Sequence, residues 1–98
     1  MKTKDKDMLY QAIESYGKYT DNQNKVLCAL INNAVDDMVF APVTKLNKQT
    51  GVTRPTIYAT LKVLQIDDLI KKEPDSKGLF KLNQNKISFI LDTYKKQQ

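Results

Sequence analysis

Residues 43–69 read VTKLNKQTGVTRPTIYATLKVLQIDDL, and this stretch decides the fold of the chain. A short helix is predicted over residues 43–50, with Leu46 on its buried face, because Pro42 suits the first position of a helix. Gly51 ends this helix, since glycine adopts a left-handed turn without the steric cost that a Cβ brings. The stretch therefore begins with a short helix that stops at a sharp turn.

A second helix is predicted over residues 53–64. Thr53 is expected to cap it through the side-chain hydroxyl, and Pro55 lies in the first turn, where its missing N–H is tolerated. Apolar residues follow at helical spacing along one face. We expect the two helices to cross steeply over a small shared core made of Leu46, Val52, Ile57 and Leu61, with Leu64 extending the buried stripe.

A β-hairpin is predicted directly after the second helix, over residues 69–82. Its strands are residues 69–73 and 79–82, and residues 74–78 have the proline, aspartate, serine and glycine composition of a turn. A very short strand is also predicted at residues 39–40, ahead of the first helix of the pair.

Helices are predicted on both sides of this centre. They span residues 6–19, 22–33 and 85–96, and residues 1–7 are expected to be flexible. The whole chain, residues 1–98, is predicted to be a single domain, mainly α with a small β-hairpin, in the α+β class. The buried faces of the three helices are expected to contain Met8, Leu9, Ala12, Ile13 and Tyr16, then Val26, Leu27, Leu30, Ile31 and Ala34, then Ile87, Ile90, Leu91 and Tyr94.

The overall composition is that of a small basic globular protein. The 98 residues include 16 Lys and Arg against 11 Asp and Glu, a net charge of +5. Such a domain is attracted to polyanions, of which nucleic acid is the commonest, although a basic surface that only aids solubility is the alternative. No apolar run or leader segment is evident, so a cytoplasmic location is expected. The single cysteine, Cys28, is expected to be a buried structural thiol.

Enzyme function is not expected. The chain has no histidine, which removes histidine-based acid–base catalysis and histidine metal ligands. It has only three glycines and no glycine-rich phosphate-binding motif. The carboxylate pairs at residues 36–37 and 67–68 are interpreted as solvated helix ends. We therefore expect no catalytic residues, no cofactor and no metal site.

The central residues carry a resemblance to a known family. The pattern of one leucine, a turn glycine, a hydroxyl residue, spaced aliphatic residues and a final Leu-Ile resembles the winged helix-turn-helix domains of bacterial regulators of the MarR-like and GntR-like groups, over residues 39–82. The resemblance implies a helix-turn-helix at 43–64, a wing at 69–82 and additional terminal helices. It also implies that helix 53–64 enters the major groove of double-stranded DNA. The matching residues are Leu46, Gly51, Val52, Thr53, Ile57, Leu61, Leu64, Leu69 and Ile70.

The distribution of charge agrees with such a role. Residues 38–66 contain no Asp or Glu, and four cations give this stretch a charge of +4. An even spread of the acidic residues would place several of them here. A surface apposed to phosphates excludes carboxylates, because like charges across an interface repel.

Individual contacts with DNA are predicted as follows. Arg54 is expected to contact guanine O6 and N7 or a phosphate, and Lys62 a phosphate. Tyr58 and Ala59 are expected to face the groove, with packing of Tyr58 against the wing as the alternative. Lys77, beside Asp75 at the wing tip, is expected to reach the minor groove or its phosphates. The predicted DNA-binding set is Lys45, Lys48, Thr53, Arg54, Pro55, Thr56, Tyr58, Ala59, Lys62 and Lys77.

A homodimer is predicted through the first and last helices, reading a two-fold symmetric site. The last helix has more apolar residues than a lone capping helix needs, since Phe89 lies off its main stripe. Packing within one chain is the alternative. The predicted dimer surface comprises Met8, Leu9, Ile13, Ile87, Phe89, Ile90, Leu91 and Tyr94.

Three functions are compatible with these patterns. The first is a sequence-specific DNA-binding transcriptional regulator, acting as a repressor by occupying its operator. The second is a plasmid or phage replication or partition protein, a centromere-binding adaptor that recruits a partner protein, because residues 77–83 look similar to the wing exit of plasmid replication proteins. The third is a winged helix that binds proteins and has no role on DNA.

Overall fold

The computed structural model describes residues 3–74 and 76–97 and, within them, side chains from Lys6 onward. The described chain is mainly helical with a small antiparallel sheet, which confirms the predicted α+β class. None of the described helices has the length and apolar character needed to cross a membrane. The elements are, in order, α1 Thr3–Tyr16, α2 Asp21–Asn33, β1 Met38–Phe40, α3 Val43–Thr50, α4 Arg54–Ile66, β2 Ile70–Lys72, β3 Leu79–Leu82 and α5 Gln84–Lys96.

The three strands form one sheet in the order β1-β3-β2, with both pairings antiparallel. Alternate side chains point to opposite faces of such a sheet. Val39, Phe80 and Ile70 lie on the buried face. Phe40 and Lys81 lie on the outward face and are exposed. The sheet therefore covers the helices with one face and leaves the other open.

A tight turn protects the free edge of β1. The amide of Val35 donates to the carbonyl oxygen of Met38 at 2.8 Å, and the amide of Met38 donates back at 3.1 Å. Asp36 adopts a left-handed conformation, with φ of 56°, within this turn. Both backbone groups of Met38 are therefore bonded within the chain.

The α3–α4 pair follows the predicted bounds closely. Gly51 has φ of +74°, and its amide donates to Asn47 O at 2.9 Å, so the left-handed turn is confirmed. The side-chain amide of Asn47 also donates to Val52 O at 2.8 Å, which holds the turn against α3. All the residues predicted for the shared core are buried: Leu46, Val52, Ile57, Leu61 and Leu64.

The first helix differs from its prediction at both ends. It begins at Thr3 rather than near Lys6, so residues 3–7 are helical, and residues 1–2 lie outside the described residues. It ends at Tyr16 rather than Tyr19, because Gly17 takes the left-handed conformation, with φ of +72°. The side chain of Tyr16 is 39% exposed, so its predicted place on the buried face is wrong.

The terminal helices α1 and α5 pack against each other within one chain. Leu9 and Ile13 of α1 are buried, as are Ile87 and Ile90 of α5. The hydroxyl of Tyr94 reaches across to donate to the side-chain oxygen of Gln11 at 3.0 Å. These helices thereby close the core rather than present it to a second chain.

This packing corrects the predicted dimer surface. Leu9, Ile13, Ile87 and Ile90 are core residues of the single chain, because the faces of α1 and α5 are complementary to each other. Of the predicted surface, only Phe89 is well exposed, at 60%. Met8, Leu91 and Tyr94 are partly buried.

Candidate nucleic-acid interface

Helix α4 has a sharply divided surface. Its buried side is formed by Ile57, Leu61 and Leu64, together with Thr60, whose hydroxyl donates to Thr56 O at 2.7 Å. The hydrogen bond from its hydroxyl to the backbone explains how a polar residue fits on the buried side. The opposite side of α4 is open to solvent.

The open side of α4 consists of two parallel rows of side chains. Residues four apart lie on the same side of a helix. The long row is Arg54, Tyr58, Lys62 and Ile66, and the short row is Pro55 and Ala59; all are exposed. The long row carries both cations of the helix, whereas the short row has no polar side chain.

The predicted residues in the first half of α4 differ from one another in how their exposure and hydrogen bonds compare with the predictions. Tyr58 is 63% exposed, so it is presented outward and is not packed against the hairpin. Thr53 does not cap α4 through its side chain, so that prediction is wrong. Its hydroxyl instead donates to the hydroxyl of Thr56 at 3.0 Å. Thr56 is only partly exposed, which leaves it less accessible than predicted.

The starts of α3 and α4 lack the side-chain caps that α2 and α5 have. Thr20 and Gln23 form a capping box on α2, and Asn83 accepts from the amide of Lys86 on α5. Neither α3 nor α4 has a side-chain cap or an acidic residue in its first turn. First-turn N–H groups without an acceptor carry the positive end of the helix dipole. These two starts are therefore electropositive.

The remaining predicted residues surround this helix pair. Lys45 and Lys48 are exposed on α3, about one turn apart. Lys77 is exposed in the turn of the hairpin. The neighbouring Gly78 O accepts from the amide of Ala41 at 2.6 Å, which brings this turn beside the start of α3. Asp75, which neighbours Lys77 at the predicted wing tip, lies outside the described residues.

The cations of the acid-free stretch have no carboxylate partner among the described side chains. Among the described side chains, an ion pair joins Lys18 Nζ to Asp67 Oδ2 at 3.4 Å. The hydroxyl of Tyr19 also donates to Asp67 Oδ2 at 2.8 Å. Burial, and then this hydrogen bond, raise the pKa of Tyr19 above its ordinary value. The carboxylate of Asp67, directly after α4, is thus bonded to Lys18 and Tyr19.

Two features of the surface were missed by the sequence reasoning. Ile66 is 77% exposed and continues the row of Tyr58 and Lys62. Ile66 lies four residues after Lys62, a spacing that indicates the same row, but the helix was predicted only over residues 53–64. Lys71 and Lys81 are cross-strand partners on the outward face of the sheet, which strand alternation alone could have indicated.

Comparisons with protein-family models, with curated proteins and with solved structures give no match to this chain. The chemistry and geometry of its own residues are therefore the basis for any functional assignment.

Proposed function

We propose that this protein is a winged helix-turn-helix protein that binds double-stranded DNA by inserting α4 into the major groove. The observation that carries the proposal is the open face of α4. It presents Arg54, Tyr58 and Lys62 to solvent, and neither cation has an ion-pair partner among the described side chains. A solvated face without a polyanionic partner has no physical reason to exclude acids over so long a stretch.

The arrangement of elements supports this proposal. Helix α4 rests on α3 through a sharp glycine turn, and the β2–β3 hairpin follows it in sequence. The pairing of β1 with β3 joins the hairpin to the strand before α3. This order is the one expected for a helix-turn-helix with a wing. A helix with its side chains is about 10–12 Å across, which matches a major groove about 12 Å wide.

Each basic group has a role in the proposal. Arg54, at the inserted end, contacts guanine through its planar fork of donors, or a phosphate. Lys62 lies eight residues further, about 12 Å along the helix axis, and contacts a phosphate of the DNA backbone. Lys45, Lys48 and the uncapped starts of α3 and α4 supply further phosphate contacts. Lys77 is placed by the hairpin turn for a phosphate or the minor groove.

In the cell, the proposed role is transcriptional regulation, with repression by occupancy of an operator in the cytoplasm. A single domain whose side chains bind DNA blocks a promoter without further machinery. The homodimer remains part of this proposal, and Phe89 is its most accessible contact. Two copies would read half-sites about one DNA turn apart.

The deciding experiment is selection of bound sequences from random duplex DNA, followed by titration of the selected duplex at several salt concentrations. We expect tight binding that weakens steeply with salt. One palindromic site supports a repressor, whereas an array of direct repeats supports a replication or partition adaptor. Absence of binding to any duplex, even at low salt, contradicts the proposal and favours a winged helix that binds proteins.

A further inference from the structure

The short row of α4 differs chemically from the part of the long row beside it, which carries Arg54, Tyr58 and Lys62. Pro55 and Ala59 are both exposed and lie one turn apart in the first half of the helix. Neither side chain donates or accepts a hydrogen bond, and Pro55 also lacks a backbone N–H. Because both are small, this row allows the helix backbone to approach a ligand more closely than the long row does.

The chemistry of the major groove restricts what such a row can recognise. Each base pair presents hydrogen-bond donors and acceptors there, and the thymine C5-methyl is the one apolar group among the four bases. An apolar side chain pressed against the amino group of cytosine or the acceptors of guanine leaves those groups without water or a partner, which is costly. A methyl group has no such requirement.

We infer that Pro55 and Ala59 read thymine methyl groups, so that the DNA site has thymine where the short row meets the groove. The inference rests on the proposed function and adds a base identity to it. Arg54 and Lys62 bound the short row along the helix, so the apolar reading is confined to the base pairs between their contacts. The expected ligand is therefore a duplex with a methyl-bearing step flanked by positions that the cations contact.

The test replaces thymine by deoxyuridine, one position at a time, in a duplex selected by the protein from random DNA. This change removes only the methyl group. We expect one or two positions at which the dissociation constant rises about fourfold, the loss for one buried methyl-sized group. At the remaining thymines the substitution should have little effect.

A second arm assigns the effect to the protein side chain. In Ala59→Gly, the affinity difference between thymine and deoxyuridine should disappear at one sensitive position. Ser88→Gly is the control, because Ser88 is exposed on α5 and the change also weakens a helix, although by less than Ala59→Gly does. This control should retain the full difference at every sensitive position, and circular dichroism verifies that both variants are folded.

The outcomes separate the inference from the function on which it rests. Binding without sensitivity to deoxyuridine at any position overturns the inference and leaves the DNA-binding proposal intact. Sensitivity that persists unchanged in Ala59→Gly also overturns it. Failure to bind any duplex overturns both.

Discussion

The amide of Ala41 donates a 2.6 Å hydrogen bond to the carbonyl oxygen of Gly78. This bond ties the hairpin turn to the residue that precedes Pro42, at the start of α3. A Cβ built on Gly78 would lie 3.2 Å from the backbone nitrogen of Pro42. The hairpin and the helix pair are therefore held together here by contacts between backbone atoms rather than between surface side chains.

Substitution of glycine should reveal this contact. Gly78 and Gly51 have nearly the same conformation, with φ of +78° and +74°, so alanine costs about 1–2 kcal/mol at either site from backbone strain. Gly51 has open space around its Cβ position, whereas Gly78 meets Pro42. We expect Gly78→Ala to lower the free energy of unfolding by more than Gly51→Ala, measured by urea denaturation. Equal losses would show that the close contact has no energetic consequence.

Arg54→Ala should weaken DNA binding by about 1–3 kcal/mol. Arg54 is exposed, so we expect the thermal unfolding midpoint to stay unchanged. Arg54→Lys keeps the charge but loses the bidentate geometry, and it should recover affinity only if the contact is to a phosphate. Fluorescence anisotropy with the selected duplex measures the effect. Lys25→Ala, on the exposed side of α2, is the control, and an equal loss there would remove the special role of α4.

Lys62→Ala should change the salt dependence of binding. Each phosphate neutralised by a cation contributes about 0.9 to the slope of log K against log salt concentration. We expect the slope of the variant to be smaller in magnitude by about that amount, with a similar loss on specific and random duplexes. An unchanged slope would mean that Lys62 does not meet the DNA backbone.

Leu9→Ala should destabilise the isolated chain. Leu9 of α1 is fully buried, and such truncations cost about 2–5 kcal/mol. We expect this loss to be independent of protein concentration, because the contact lies within one chain.

Phe89→Ser should leave monomer stability nearly unchanged and weaken self-association, measured by sedimentation. A sedimentation profile with only the 11.2 kDa species at tens of micromolar would contradict the proposed homodimer.

Alkaline pH should destabilise the fold through partly buried thiol and phenol groups, among them Cys28 and Tyr19. Burial raises the pKa of the Cys28 thiol to about 11, and burial with the hydrogen bond to Asp67 raises the pKa of Tyr19. Above about pH 9 for the thiol and about pH 10 for the phenol, the unfolded chain releases protons that the folded chain retains. Stability is therefore complete below these values and falls as the pH rises through the folded-state pKa values. Cys28→Ala and Tyr19→Phe should each reduce this decline in denaturation curves measured from pH 8 to 11.

The alkylation rate of Cys28 offers an independent measurement. Only the thiolate reacts with iodoacetamide, so a raised pKa slows the reaction. We expect the native protein to react much more slowly at pH 8 than the urea-unfolded chain. Cys28 is partly buried rather than fully buried as predicted, and similar rates in the two states would contradict even this partial protection of the thiol.

Local patterns were sufficient to predict much of this fold. Helical spacing placed Ile57, Leu61 and Leu64 on the buried side of α4 and Arg54 and Lys62 on its open side, because the period of a helix relates neighbouring side chains directly. Gly51 was predicted at the turn for an equally local reason. Within the candidate site, the positions of most basic residues followed from the same periodicity.

Contacts between distant segments could not be predicted in this way. The buried faces of α1 and α5 were recognised, but no local pattern indicates that they meet each other rather than a second chain. The hydrogen bond from Tyr94 to Gln11 joins residues 83 positions apart. The choice of partner for the Thr53 hydroxyl could not be predicted either, since it bonds to the hydroxyl of Thr56 rather than to the backbone of α4.

The Val35–Met38 turn has a consequence for the behaviour of the protein at high concentration. An unpaired strand edge is a template on which other chains add strands and aggregate. Here both backbone groups of Met38 are bonded within the turn. Beyond Met38, β1 continues only to Phe40, and this remaining segment is too short for strand addition. At this edge of the sheet, molecules at high concentration can therefore meet through side chains without adding strands to β1.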